Sequence, residues 1–531
     1  MIIYGYMAKD FLKFWVDDAG ISFTFVRNIA DGYGSVAHPG GERVEGFSDP
    51  TWVYLLAAFH KMGGDIFAWS QRLGYLFALA TLGLICFFGF MSFPDGRRAW
   101  PAAVAASLVA FNACFAIWNQ SGLENSLYAF LLCLSLLLVI RESRVDQALP
   151  WSAVSLFLLA ITRPEGVAHA LLAGIFLLLT DLVVRKRPSK RLLVWAGSFC
   201  LLFGAYHLWH YWYYAHVFPN TYYAKVDPNG LKKITDTEDR GWQYVRTYFD
   251  QYLLWPAFLF SVPAFFGRRV WREATYLALT VLFLLFFPIY SRGDWMEGWR
   301  FLSALVVPLA MLLGLAAFNV AELVKSWLAE KVPALQAAVV GIALALMWVF
   351  VPVAAAVPGS LNHAQAFTEH KETTIKLIAH RVDWWSDIAH ELALRPPDLT
   401  MCDMDMGGTS FNWPGVMLDI GYLLDVPMAS HRYTKQWRRM MNEYFFEERR
   451  PEFIHIRRAW GEMTTIPSNP KFKERYLALP EDRKFGKIPN GNFVRRDLIE
   501  SEKPPAQILN IEPFTGGLRL VVVDAPEAIR P

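Results

Sequence analysis

The 531-residue chain carries 54% hydrophobic and 15% aromatic residues, only 19% charged residues and a mean hydropathy of +0.25, a balance that belongs to a polytopic membrane protein rather than to a string of soluble domains. A formal net charge of +3 supplies no concentrated basic face and excludes a nucleic-acid partner. The cysteines Cys86, Cys114, Cys133 and Cys200 lie in apolar runs and Cys402 in the polar C-terminal part, so they form neither a disulfide framework nor a CxxC metal pattern and are expected to be packing residues.

In chain order, the first fifteen residues hold Lys9, Asp10 and Lys13 and show no signal-peptide pattern. The segment WVDDAGISFTFVRNIADGYGSVAHPGGERVEGFSDPTW, residues 15–52, then presents two adjacent acids, a glycine-rich turn and a second acidic patch. Apolar runs long enough to cross hydrocarbon follow at 69–93, 99–118, 123–141, 148–162, 166–184, 191–213, 251–267, 274–290, 300–320 and 335–357, which predicts about ten spans. Basic residues fall in every second loop: Arg97 and Arg98, Arg141 and Arg144, the cluster from Arg185 to Arg191, Arg268 to Arg272, then Lys325 and Lys331. The positive-inside rule puts those loops in the cytoplasm and the others outside. Residues 1–68 are then an outer-face loop with interfacial helices, 69–357 the transmembrane domain, and 358–531 a soluble extracytoplasmic α/β domain in which GGLRLVVVDA reads as a strand. An outer-face start calls for a span before it, so either a first span is missing from this chain or its tail is translocated unaided.

Every unusual polar motif falls on the outer face: Asp17-Asp18; GGERVEG with Glu45; SGLE with Glu124; TRPEG with Arg163 and Glu165; FPNTYYAK with Asn220, Tyr223 and Lys225; and RGDWMEGWR with Arg292, Asp294 and Arg300. Ionisable residues gathered at one membrane rim are expensive to desolvate and suggest a reaction site. Asp17-Asp18 has two readings. The pair either caps the helix expected over ISFTFVRNIADG or supplies a base with an orienting or metal-binding neighbour, and the second is favoured. Glu124, Arg163 and Glu165 either pair at helix ends or serve substrate, the guanidinium fork of Arg163 being suited to phosphate. The aromatic run around His207, His210 and His216 reads mainly as an interfacial belt, with no metal assigned to it. Asp403-Met404-Asp405 matches a short metal-binding DxD pattern, a weak signal on the side of the membrane that lacks nucleotide-sugars.

The order DDAGISFTFVRNIADGYG, PGGERVEGFSDPTW, SGLEN, TRPEG, FPNTYYAK and GDWMEGWRFL resembles the integral-membrane GT-C glycosyltransferases, and most of all the terminal β-(1→2)-arabinofuranosyltransferases of mycobacterial cell-wall synthesis. The likeness runs over about residues 15–310, with DMDMGGTSFNWPGVMLDIGYLLD at 403–425 similar to the family's C-terminal domain. It implies a GT-C fold, a polyprenyl-phosphate sugar donor and a cell-envelope glycan or glycoconjugate acceptor. Asp17 and Asp18 would take or orient the acceptor proton. Arg163, Lys225, Arg292 and Arg300 would meet the donor phosphate, and Glu45, Glu124 and Asp294 the sugar hydroxyls, with Glu165, Asn220 and Tyr223 completing the substrate site. No cofactor is assigned, and a divalent cation stays open. The chain departs from the family's pattern at Gly20, where a bulkier residue commonly follows the alanine. Two other classes compete, a lipid-linked sugar flippase and a non-catalytic glycan-binding membrane protein. The first predicts ionisable residues at mid-span and inverted repeats, neither evident here. The second leaves the acid-rich first loop without a role.

Overall fold

The structure is a computed structural model that describes residues 1–92, 100–145, 149–225, 236–266, 270–329, 331–369, 373–431, 434–456, 458–479, 491–498, 507–514 and 517–524; the side chains of Ser92, Lys225, Arg458, Ala459 and Glu462 and those of the last two segments lie outside the described residues. The first loop folds as short helices, α1 (Ile2–Ala8), α2 (Ala19–Ala30) and α3 (Pro50–Lys61). Proline at the start of α3 has the fixed φ a first turn needs and lacks only an amide that would go unpaired there.

The apolar runs become α4 (Ile66–Ser92), α5 (Trp100–Ala110), α6 (Ala113–Gln120), α7 (Asn125–Arg144), α8 (Trp151–Ala160), α9 (Gly166–Arg185) and α10 (Lys190–Tyr214). After α11 (Asn220–Lys225) and the amphipathic α12 (Arg240–Tyr252) come α13 (Trp255–Phe260), α14 (Trp271–Ser291), α15 (Val306–Leu328) and α16 (Ala334–Glu369). Among the described residues seven helices are long and apolar enough to cross a membrane, eight if α5 and α6 count as one span bent by 67°. The expected ten is therefore corrected to seven or eight. The 10 residues of α8, and the apolar stretch Trp255–Phe266, reach only about 15–18 Å at 1.5 Å per residue, against about 30 Å of hydrocarbon. Asn112 makes the bend: its side chain accepts from the Phe115 amide at 2.9 Å and starts α6 afresh.

The charged residues divide between the two ends of this bundle. At one end Glu142 accepts from the Ser152 amide at 2.8 Å, Asp181 pairs with Arg185 and Arg191, and Arg144 pairs with Glu273. At the opposite ends of α7 and α9 stand Glu124, Arg163 and Glu165.

Beyond α16, α17 (Ile375–Glu391) and α18 (Met406–Asn412) pack with a five-stranded sheet. Its strands are β1 (Thr400–Asp403), β2 (Val416–Asp419), β3 (Phe453–Ile456), β4 (Tyr476–Ala478) and β5 (Gly491–Arg495), in the order β2-β1-β3-β5-β4. β1 is parallel to both β2 and β3, while β5 runs antiparallel to β3 and β4. A separate antiparallel hairpin joins β6 (Gln507–Phe514) to β7 (Gly517–Asp524), the strand read in GGLRLVVVDA. Trp385, Trp413 and Phe453 fill the core beneath α17. Cys114, Cys133 and Cys402 are buried, but Cys86 is half-buried and Cys200 is exposed on the outer surface of α10, so packing does not account for Cys200.

Candidate active site

The segment that carries the acid pair is held from both sides by backbone bonds. The Val16 amide donates to the Ser121 carbonyl at 3.1 Å, and the Asp17 amide donates to Thr373 at 2.9 Å. Val16 and Thr374 form an antiparallel bridge. The pair is thus wedged between the SGLE motif and the start of the C-terminal domain.

The two acids then part. Asp17 is buried and accepts from the Gly408 amide at 2.7 Å, capping the first turn of α18 from another part of the chain. Asp18 stands at the start of α2 without a side-chain capping bond, keeps 18% of its side chain exposed, and faces Arg300 Nη1 at 3.9 Å. Local capping of α2, the plainer expectation for the pair, is therefore not what either carboxylate does.

Arg300 is held by Asp294 at 2.7 Å, and Asp294 in turn accepts from the Trp295 amide at 2.8 Å. A second arginine lies alongside. Arg163 Nη1 donates to Glu124 at 2.6 Å and its Nε to Glu165 at 2.5 Å. Both guanidinium carbons lie 5.4 Å from the Phe301 ring, with Tyr128 behind Arg163 and Trp118 behind Arg300. Burial opposes the charge on Arg163, but Glu165 and Glu124 hold it protonated, above the ordinary arginine value. Two fixed cations beside a partly open carboxylate can bind an anionic leaving group and take a proton from an incoming hydroxyl.

Connections between motifs fix this geometry. Trp118 Nε1 donates to Gly298 at 2.7 Å, Trp52 Nε1 to Gly122 at 3.0 Å, and Asn125 to Ser303 Oγ at 3.2 Å. Sequence reading passed over Asp49, in EGFSDPTW, which is buried with the Ser22 hydroxyl 3.1–3.2 Å from its two oxygens. Its signal was present: it sits in a quoted motif, one position before the proline that starts α3.

No protein-family model matches the chain. It is 30% identical over 262 residues to the terminal β-(1→2)-arabinofuranosyltransferase of Mycobacterium tuberculosis, a match that takes in 47% of this chain and 40% of that relative's length. Among solved structures it is similar to ArnT from Cupriavidus metallidurans bound to undecaprenyl phosphate, with a TM-score of 0.52, 13% identity, and coverage of 93% of this chain and 96% of that one. It is also similar to the Archaeoglobus fulgidus oligosaccharyltransferase tethered to an acceptor peptide, at a TM-score of 0.50, 13% identity, and coverage of 90% and 72%. The chain has the GT-C fold. Within that GT-C fold Gly20 has a local explanation: a Cβ there would lie 2.3 Å from the Gly407 carbonyl oxygen, so α18 can press against α2 only where no side chain intervenes.

Other predicted residues are held elsewhere. Glu45 is buried against His210 Nε2 at 2.5 Å, a carboxylate partner not apparent for that histidine in sequence. His210 Nδ1 donates to the His216 carbonyl at 3.0 Å, which turns Nε2 toward Glu45. Burial raises the Glu45 pKa and the bond to His210 pulls it back. Asn220 binds the Tyr422 and Leu423 carbonyls at 3.1 and 2.8 Å, tying FPNTYYAK to the C-terminal domain. Asn220→Ala leaves those carbonyls unpaired, with an expected cost of about 1–3 kcal/mol visible as a lower melting temperature; an unchanged melt would contradict this role. Tyr223 is half-buried beside His216 at 6.1 Å. Arg292 pairs with Asp239 at 3.1 Å and keeps 41% of its side chain exposed. Lys225 has its side chain outside the described residues.

Asp403, Asp405 and His455 are, among the described residues, the one group that brings three candidate metal ligands within 4.8 Å of one another. Arg381 contacts all three, at 2.6, 2.8 and 3.1 Å. Their donor atoms converge on a guanidinium that already supplies the positive charge, so the set does not fit a resident metal.

The acids also predict a pH response. Burial first, then the charges of Asp405 and Asp18, push Asp17 up to about 8, and burial with Glu124 pushes Asp49 up to about 8. An unfolded aspartate titrates near about 3.9. Between those values the folded state keeps protons that the unfolded chain has lost, so this stability is fully present below about pH 4 and is lost as pH rises through about 8. Melting temperature is expected to fall from pH 5 to 8, with a shallower fall in Asp49→Asn. A rise over that interval would contradict the assignment.

Proposed function

We propose that the protein is a glycosyltransferase that moves a sugar from a polyprenyl-phosphate donor to a cell-envelope glycan acceptor at the outer face of the cytoplasmic membrane, with arabinofuranose the first sugar to test. The observation that carries this reading is Asp18, partly open, facing Arg300 beside a second buried arginine. The partial match to an arabinofuranosyltransferase supports the sugar, and the likeness to an undecaprenyl-phosphate-bound ArnT supports the donor class.

In the proposed reaction Asp18 accepts the proton of the acceptor hydroxyl as that oxygen forms a bond to the anomeric carbon. The bond from the anomeric carbon to phosphate breaks, and its electron pair leaves with the polyprenyl phosphate, which goes from one negative charge to two. Arg300 and Arg163 meet that growing charge in a site poor in water, where fixed cations act most strongly. Asp294 aims Arg300, while Glu124 and Glu165 aim Arg163. The basic loops at the other end of the bundle support the outer-face reading.

Binding of undecaprenyl phosphate to the full chain in nanodiscs, read by native mass spectrometry, tests the phosphate site. Arg163→Ala and Arg300→Ala are each expected to weaken binding at least about tenfold. Binding equal to wild type in both would overturn the assignment.

A further inference from the structure

Arg381 lies on α17, far in sequence from the acid pair, yet it stands at the end of a short chain of contacts that leads to it. Its Nη2 reaches Asp403 Oδ2 at 2.6 Å and its Nη1 reaches Asp405 Oδ2 at 2.8 Å. The same Nη1 donates to His455 Nε2 at 3.1 Å. His455 Nδ1 meets Asn492 Oδ1 at 2.6 Å and is the protonated nitrogen there, which leaves Nε2 as an acceptor. Asp403 also accepts from the amides of Met404 and Asp405, at 2.7 and 3.0 Å, and from the Thr409 hydroxyl at 2.8 Å. These bonds fix the turn from β1 into α18.

That turn touches the acid pair directly. The Gly408 amide holds Asp17 Oδ1 at 2.7 Å. A Cβ on Gly407 would fall 1.7 Å from the Asp17 carbonyl oxygen, and one on Gly408 would fall 2.9 Å from Asp17 Oδ1. On the other side, Thr24 and Ser410 hydroxyls meet at 3.1 Å, and Arg27 donates to the Phe411 carbonyl at 2.8 Å. The C-terminal domain therefore grips α2 along its length, from Gly20 at the end where Asp18 emerges to Arg27 in its last turn.

We infer that Arg381 is a positioning residue: by clamping Asp403 and Asp405 it sets the α18 turn whose Gly407-Gly408 backbone seats Asp17, and so keeps Asp18 aimed at Arg300. This rests on the reading of Asp18 as the base of a sugar transfer. It makes the C-terminal domain part of the reaction site rather than an appended glycan reader. Arginine is suited to the task because its planar fork reaches the two carboxylates from two separate nitrogens in a fixed geometry, which the compact ammonium of lysine reproduces only in part.

The test uses the full chain in nanodiscs with three variants: Arg381→Met, Arg381→Lys and Gly407→Ala. Transfer from the accepted polyprenyl-phosphate sugar is resolved into kcat and donor KM, and hydrogen exchange is followed in the peptide over residues 15–25. Displacements of about an ångström at a reacting group cost on the order of 100-fold. The expected result is a kcat lower by about that factor in Arg381→Met and Gly407→Ala, a donor KM within about twofold of wild type, partial recovery in Arg381→Lys, and faster exchange at the start of α2. Wild-type kcat in Arg381→Met and Gly407→Ala would overturn the inference, as would a loss in which donor KM rises in step. If the wild type transfers no sugar, the proposed function fails, and exchange alone decides the clamp: faster exchange in Arg381→Met retains it, and unchanged exchange removes it.

Discussion

Asp18→Asn is expected to lower sugar transfer by about 10²–10⁴-fold, the range a general base contributes, with melting temperature close to that of wild type. The asymmetry within the acid pair is the reason. Asp18 keeps 18% of its side chain exposed at the start of α2, so an asparagine of the same shape is accommodated with little change in packing. Asparagine keeps the shape and loses the basic oxygen. Asp17→Ala is expected to behave differently. Asp17 is buried and accepts from the Gly408 amide, so removing that acceptor leaves the amide unpaired and loosens the seat of α18, with a lower melting temperature. Purified variants assayed side by side separate the cases: Asp18→Asn should be folded and inactive, and a folded Asp18→Asn with wild-type kcat would remove the base from the mechanism.

Arg300→Ala is expected to lower kcat by about 10²–10³-fold and also to destabilise the protein by about 3–5 kcal/mol. Two effects coincide because Arg300 serves two partners. In the proposed reaction it provides, beside Asp18, the charge that receives the leaving phosphate, and toward Asp294, with 2% of its side chain exposed, it neutralises a buried acid at 2.7 Å. Removing the arginine strands that acid. The double variant Arg300→Ala/Asp294→Asn should therefore regain most of the lost melting temperature while transfer stays low. Arg300→Lys should sit between, because an ammonium keeps the charge but not the spread of Nε and Nη1 toward the two carboxylates. Recovery of transfer in the double variant would mean that Arg300 acts through folding alone.

Much of this arrangement is legible before folding. Each of the ten apolar runs corresponds to a helical segment, because a hydrocarbon-length run leaves the backbone few alternatives to helix. Length failed only where the run was short or interrupted: composition marks 148–162 and 251–267 as apolar, but α8 ends before Thr162 and the second stretch reaches just 12 residues, Trp255–Phe266. The grouping of SGLE, TRPE and GDWMEGWR was also legible, since their ionisable residues sit at the ends of apolar runs. What the sequence conceals is which partner each charge takes. Glu45 meets His210 across 165 positions, and Thr24 meets Ser410 across 386. Arg381 carries no motif of its own, and Asp403-Met404-Asp405 suggests a cation by pattern while the fold supplies a guanidinium instead. Gly20 looked like a departure in the acid motif; its meaning lies in Gly407, on a helix that no local pattern links to it.

The most direct measurement is sugar transfer by the full chain in lipid, with a panel of polyprenyl-phosphate pentoses and hexoses set against a matched panel of UDP-sugars. Transfer from a polyprenyl-phosphate sugar, arabinofuranose first among them, with none from any UDP-sugar and none in Asp18→Asn, is the predicted result. Transfer from a UDP-sugar, or undiminished transfer in Asp18→Asn, would contradict it.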